Sequence, residues 1–316
     1  VGGAGRIADD GEGGAAAMAV CFVHTADWQI GKQFGAMPDE VRVVLARQRI
    51  DTVKTIARLA RDQAADAILV AGDVFETGAV KDETIRRTLL AMAEFSGPWV
   101  LLPGNHDAAL AESPWTRIPR LDQPANVLLA TVPEPIGLLG GRLAILPAPL
   151  QRRQEGADLT GWFDSAAVGA GAIRVGLAHG SVHSFLPGDA EAPNPIAHDR
   201  AERAGLDYLA LGDWHGTLRI GDRTWYAGTP EPDRFKANDQ GNVLVVRIAA
   251  PGSPPEVRSL RTARYRWSEL SLGVHGENDV AGIGDAFLGL APPLADAVVK
   301  LTLQGAIDLR TRSAVH

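Results

Sequence analysis

The sequence predicts an α/β protein built on a mostly parallel sheet with helices on its faces. Three observations carry that prediction. Short apolar runs alternate with longer stretches of helical periodicity, polar residues and glycine collect directly after the runs, and the spacing becomes that of hairpins beyond Leu211.

In chain order, Ala19–Ala26 reads as the first buried strand. Ile68–Ala71, Trp99–Leu102, Leu143–Leu146, Ile173–Ala178 and Tyr208–Leu211 are further runs of strand length, rich in Val, Ile and Leu. A helix from about Val41 to Asp62 separates the first two, with Val43, Ala46, Ile50, Val53, Ala57 and Ala60 recurring at intervals of three and four. A second helix, from about Asp82 to Phe95, fits before Pro98. Such alternation indicates parallel strands joined by crossovers. After Leu211, Thr217–Ile220 and Thr224–Ala227 flank the turn signal Gly221-Asp222, and Asn242–Ile248 continues as strand. Residues 250–255, Ala-Pro-Gly-Ser-Pro-Pro, are the best linker candidate. Beyond them, one helical stretch and the strand Val298–Leu303 are too little to bury a core by themselves, so the chain is expected to end inside a second domain. The domain reading is a disordered Gly/Ala-rich tail over 1–18, a main domain over 19–262 and a partial cap over 263–316.

Composition narrows the function classes. The 316 residues are 46% hydrophobic and 22% charged, which excludes disorder over the whole chain. A single cysteine, Cys21, excludes an intramolecular disulfide framework and a multi-cysteine zinc site. The longest apolar run, Ala15–Val23, has nine residues, against the ~20 of a bilayer-spanning helix. A soluble, cytoplasmic enzyme with no membrane partner is the expectation. A net charge of −7 argues against coating nucleic acid by bulk charge, though not against a local nucleic-acid site.

The chemistry gathers after the strands. Asp27-Trp28-Gln29, Gly72-Asp73, Gly104-Asn105-His106-Asp107, His179-Gly180 and Gly212-Asp213-Trp214-His215 each follow an apolar run. Open α/β sheets place their sites at these carboxyl ends. Asp27-Trp28-Gln29 and Asp213-Trp214-His215 echo each other; in extended chain, residues i and i+2 face a common ligand while the Trp packs backward. Asp, Asn and His are donors suited to divalent metals.

In this order the blocks resemble the calcineurin-like metallophosphoesterases. The contexts His24-Thr25-Ala26-Asp27-Trp28-Gln29-Ile30-Gly31, Gly72-Asp73-Val74-Phe75 and residues 226–235, Tyr-Ala-Gly-Thr-Pro-Glu-Pro-Asp-Arg-Phe, resemble the SbcD-type DNA repair nucleases within them. The resemblance covers residues 19–262 and implies a two-sheet sandwich flanked by helices. It implies Asp27, Gln29, Asp73 and His215 around a first metal ion, and Asp73 as bridge, Asn105, His179 and Asp213 around a second. His106 would stand over the substrate phosphate and assist the leaving oxygen. The implied reaction is hydrolysis of DNA by a water bridging the two ions, in exonucleolytic or end-processing repair. The implied partners are DNA, an SbcC-type ATPase and a second copy of the chain.

Two positions depart from the family pattern: Gln29 and Asp213 stand where histidine is usual. The resulting shell, five oxygen donors and two histidines, favours manganese, admits magnesium or iron, and disfavours zinc. Glu76 takes a place where some members carry a substrate-side histidine, and Arg234 is a candidate phosphate contact.

Outside these blocks, His24 reads as a hydrogen-bonded core histidine, Trp28 and Trp214 as packing residues, and His183 and His198 as surface. The cations Arg42, Arg47, Arg49, Lys54, Arg58 and Arg61 read as a solvated helix face, with phosphate contact or a dimer surface as alternatives. Arg258, Arg261, Arg264 and Arg266 form a second basic run able to track a DNA backbone. Two other functions compete: a phosphoesterase for a small phosphoester or cyclic nucleotide, and a non-catalytic DNA-end or partner-binding module with a degenerate metal site.

Overall fold

The computed structural model describes residues 19–182, 193–290 and 294–305. The proposed tail over 1–18, His183 and most of the loop Pro187–Pro195 lie outside them. In chain order the strands are β1 (Val20–Thr25), β2 (Ala67–Val70), β3 (Trp99–Leu101), β4 (Val127–Leu129), β5 (Ile136–Leu138), β6 (Leu143–Ala148), β7 (Ile173–His179), β8 (Ser181–Val182) and β9 (Pro195–Ile196). They continue as β10 (Tyr208–Gly212), β11 (Leu218–Arg219), β12 (Thr224–Tyr226), β13 (Asn242–Ile248), β14 (Glu256–Arg261), β15 (Arg266–Gly273) and β16 (Ala297–Gln304). The helices are α1 (Asp39–Asp62), α2 (Asp82–Met92), α3 (Pro114–Arg117), α4 (Arg200–Arg203) and α5 (Glu277–Leu288).

Two six-stranded sheets face each other, ordered β14-β13-β1-β2-β3-β4 and β11-β12-β10-β7-β6-β5. In the first, β1 through β4 run parallel while β13 and β14 are antiparallel additions. In the second, β6, β7, β10 and β12 are parallel. The strands obey a period of two. Phe22 of β1 and Leu69 of β2 point between the sheets to meet Ile145, Val175, Leu177 and Tyr208, whereas Cys21, Val23, Ile68 and Val70 point outward under the helices. Each such fully buried aliphatic or aromatic side chain contributes roughly 1.5–3 kcal/mol. Because both faces of the central strands are covered, they read as continuous apolar runs.

His24 lies at the middle of this interior, as the sequence suggests. Its Nδ1 is 3.0 Å from the Tyr208 hydroxyl and its Nε2 3.1 Å from the Leu211 carbonyl. The carbonyl can only accept, so Nε2 carries the proton and Nδ1 accepts from Tyr208. Burial lowers this imidazole to about 3, so it stays neutral.

Three expectations are corrected. Residues 250–255 form the turn between antiparallel β13 and β14, not a linker between domains. Val43 is 70% exposed, because the core-facing side of α1 begins at Leu45 and runs through Ile50, Val53, Ile56 and Ala60. Arg49 is not on the solvated face: it is buried and donates to the backbone carbonyls of Asp27, Trp28 and Glu231 and to the Thr229 hydroxyl. Four acceptors at the end of β1 and in the 229–231 loop thus hold one guanidinium whose fork geometry suits them.

Beyond Thr262, β15 and β16 pair in parallel, with α5 between them in sequence. They rest on the body through a cluster of Phe34, Leu45 and Tyr265, joined by Trp267 and Val298. Among the described residues, no helix is long and apolar enough to cross a membrane.

Candidate metal centre

The carboxyl ends of β1, β2, β3, β7 and β10 converge where the two sheets meet, and each delivers one block of polar residues. The chain does not stay extended there. Asp27, Gln29, Asp73 and Asp213 all have positive φ, at 54°, 43°, 53° and 103°. Non-glycine residues held in the left-handed region cost about 1–3 kcal/mol each and cluster at functional sites. The expected i, i+2 geometry of extended chain is therefore replaced by a tight turn. It is pinned by hydrogen bonds from the Asp27 N–H to the Gly72 carbonyl and from the Gln29 N–H to the Asp73 carbonyl, at 3.1 and 2.9 Å. Trp28 between them packs into the core, as expected.

Close approach sets the glycines beside the turn. A Cβ on Gly104 would lie 2.1 Å from Asp73 Oδ1, and one on Gly72, at φ +88°, would lie 2.2 Å from His179 Nδ1. Asp107 ties two turns together: its two oxygens accept from the N–H groups of Gly104 and Phe75 at 2.8 and 2.9 Å.

One half of the site gathers Asp27, Asp73 and His179, all buried, with ligand atoms within 4.8 Å of one another. Asn105 Oδ1 lies 3.0 Å from His179 Nε2, and Asp213 Oδ1 lies 3.8 Å from it. His179 Nδ1 donates to the Ala71 carbonyl at 2.8 Å, which fixes the ring and aims Nε2 at the carboxylates. Burial alone would lower His179, but Asp73, Asp27 and Asp213 together raise it to about 9. Burial raises Asp27 to about 6, against the pull of the His215 and His179 rings. Asp27 Oδ1 accepts from the Asp213 N–H at 3.1 Å, while Oδ2 is buried without a hydrogen-bond partner. A buried, unpartnered carboxylate oxygen beside two further acids and an imidazole fits a hard divalent cation. Such an ion would take the place of the proton at His179 Nε2.

The other half holds Gln29 and His215, which face each other at 3.3 Å, Gln29 Nε2 to His215 Nε2. Lys32, unassigned by the sequence reading, donates to Gln29 Oε1 at 3.0 Å and pairs with Asp233 at 3.2 Å and Glu76 at 3.4 Å. Asp233 Oδ2 in turn lies 3.2 Å from His215 Nδ1. Burial would raise Asp233, but hydrogen bonds from His215 and Arg234 hold it well below the usual carboxylate range. Arg234 Nη2 packs against the imidazole, 2.9 and 3.2 Å from its two nitrogens.

His106 stands at the mouth. Its N–H donates to Asp73 Oδ1 and its Nδ1 to the Glu76 carbonyl, both at 3.0 Å, which leaves Nε2 as the basic nitrogen. His106, Asn105, Glu76 and Thr77 line a cleft of about 290 Å³ closed on its other side by Arg153, Gln154 and Pro193. Arg153 carried no motif signal; only the fold brings it opposite His106.

Several known proteins resemble the chain. At 34% identity over 90 residues, it is similar to the D component of nuclease SbcCD from Bacillus subtilis (strain 168); the match spans 27% of this chain and 22% of that protein. Among solved structures, purple acid phosphatase PPD1 from yellow lupin (Lupinus luteus) is 12% identical at a TM-score of 0.49, with 77% of this chain and 52% of that chain covered. TT1561 of Thermus thermophilus is 13% identical at a TM-score of 0.46, with 77% and 99% covered. The calcineurin-like phosphoesterase family model matches residues 22–247, most of the chain, and the chain belongs to that family.

Proposed function

We propose that this chain is a cytoplasmic, manganese-dependent phosphodiesterase that hydrolyses DNA, as an exonuclease or end-processing nuclease of SbcD type. The observation that carries the hydrolytic reading is the cluster of Asp27, Asp73 and His179 beside His106 at the mouth of a cleft. The partial match to a component of SbcCD and the motif contexts support DNA as substrate. The same match supports an SbcC-type ATPase as partner, while a second copy of the chain and a capping role for residues 263–316 rest on the family resemblance alone.

Asp27, Asp73, Asn105, His179 and Asp213 would hold a divalent ion, which supplies Lewis acidity toward a phosphoryl oxygen and lowers the pKa of water. Manganese suits this oxygen-rich set better than zinc. The resemblance implies a second ion at Gln29 and His215; the geometry of that half is taken up below. The protein's own groups do the rest. His106 lines the cleft, where its Nε2 would take up a proton released by the attacking water and pass it to the leaving oxygen. Arg153 and Arg234 flank the cleft and the Gln29–His215 half with fixed positive charge for the phosphate backbone. The test is release of nucleotides from linear DNA on addition of Mn²⁺, lost in Asp73→Ala and His106→Ala. Bound metal without such release from DNA would count against it.

The cleft beside His106, about 290 Å³, has room for a small phosphoester, which supports a second reading as a phosphoesterase for such a substrate. That reading predicts turnover of bis-p-nitrophenyl phosphate at a rate unaffected by competing DNA.

A further inference from the structure

The two halves of the site are built to different ends. We propose that the chain holds one divalent ion, on the Asp27–Asp73–His179 side, and that Lys32, fixed by Gln29 and Asp233, supplies positive charge beside the Gln29–His215 pair that would hold a second. The proposal rests on the reading of the site as a metal-dependent phosphoesterase.

Four side chains close a ring of two hydrogen bonds and two ion-pair contacts. Lys32 donates to Gln29 Oε1 and Gln29 donates through Nε2 to His215 Nε2, while Asp233 Oδ2 lies 3.2 Å from both His215 Nδ1 and Lys32 Nζ. His215 can ligate a metal only through a ring-nitrogen lone pair, and here that lone pair is taken by the Gln29 amide. Gln29 can ligate only through Oε1, and that oxygen faces an ammonium. An amide carries a donor beside its acceptor, so turning Oε1 to Lys32 turns NH₂ toward His215.

Charge points the same way. Asp233, with its side chain fully buried, is already matched by Lys32 and by Arg234 at 2.9 Å, and Arg234 also lies against the His215 ring. A divalent ion placed between Gln29 and His215 would meet two resident cations in a partly buried setting, where like charges repel strongly. On the opposite side, Asp27 Oδ2 is buried with no partner, and the neighbouring oxygens of Asp73, Asn105 and Asp213 converge on one imidazole nitrogen. That half leaves a buried carboxylate oxygen open to a cation, whereas the ring supplies its own.

Metal content tests the proposal. The 316-residue chain, stripped with chelator, reloaded with Mn²⁺ and desalted, should retain one manganese per chain by mass spectrometry, with the electron paramagnetic resonance spectrum of an isolated ion. Asp73→Asn should lose it. Gln29→His combined with Lys32→Ala should retain two, with the spectrum of an exchange-coupled pair. Lys32→Ala alone should keep one ion while raising KM for bis-p-nitrophenyl phosphate about tenfold with a smaller change in kcat, the signature of lost phosphate binding. Two coupled ions in the wild-type chain overturn the proposal and leave the phosphoesterase reading standing. No retained ion, together with no Mn²⁺-dependent hydrolysis of that substrate, overturns the phosphoesterase reading itself. The wild-type measurement decides even if the double variant fails to fold.

Discussion

The Asp73–His179 half and the Gln29–His215 half sit at the ends of the same strands, yet they solve opposite electrostatic problems. The first brings buried acids together around an imidazole and leaves Asp27 Oδ2 without a partner. The second brings Lys32 and Arg234 to one buried acid and satisfies its polar atoms internally. The difference traces to the side chain at position 29. An imidazole anchored through one nitrogen offers a bare lone pair at the other, whereas an amide always presents N–H beside its oxygen. On the one-ion proposal, the first half is a site for a cation and the second carries its own.

Substitutions that separate the halves should differ in size. Asp73→Asn should lower phosphodiester hydrolysis at saturating Mn²⁺ by at least about 10³-fold, because several kcal/mol of charge stabilisation depend on that carboxylate. His106→Ala should cost about 10²–10⁴-fold in kcat, the usual range for a general acid–base group, while manganese binding is unchanged. Gly104→Ala should cost about 10²-fold, since its Cβ would push Asp73 Oδ1 from 2.1 Å and displaced catalytic groups lose rate on that scale. Gln29→Ala should cost less than about tenfold, the value of one hydrogen bond. Equal losses in Asp73→Asn and Gln29→Ala would erase the asymmetry.

A fifth expectation separates support from chemistry. Neutral His24 holds β1 against β10 through Tyr208 and Leu211, far from solvent. Its folded pKa, about 3, lies below the ordinary 6.5, so the unfolded chain takes up the proton first. The contribution is fully present above pH 6.5 and is lost as pH falls toward 3, by at most about 1.4 kcal/mol per unit. Urea midpoints should therefore drop between pH 7 and 5, and His24→Gln should flatten that dependence.

Much of the fold was legible because strands covered on both faces are apolar almost throughout. β1, β2, β3, β6, β7, β10 and β13 all coincide with such runs. The strands that escaped lack that signature. β4 and β5 have three residues each, and β14, Glu256–Arg261, is a sheet-edge strand with charged side chains in solvent. Its Arg258 and Arg261 read in sequence as a basic run, whereas edge strands commonly carry charge for their own protection. Within the site, the acids and histidines were visible because each follows a strand. The Lys32–Gln29–His215–Asp233 ring was not: its members are joined across nearly two hundred residues, and a lone lysine after a turn carries no spacing signal. The left-handed turns at Asp27, Gln29, Asp73 and Asp213 were equally hidden, because strain belongs to backbone angles and not to residue types.

The most direct measurement is an anomalous-scattering map from a crystal soaked in Mn²⁺. One manganese peak is expected, within ligand range of Asp27, Asp73 and His179, with Lys32 still on Gln29 and Asp233. A second peak between Gln29 and His215, with Lys32 displaced, would contradict it.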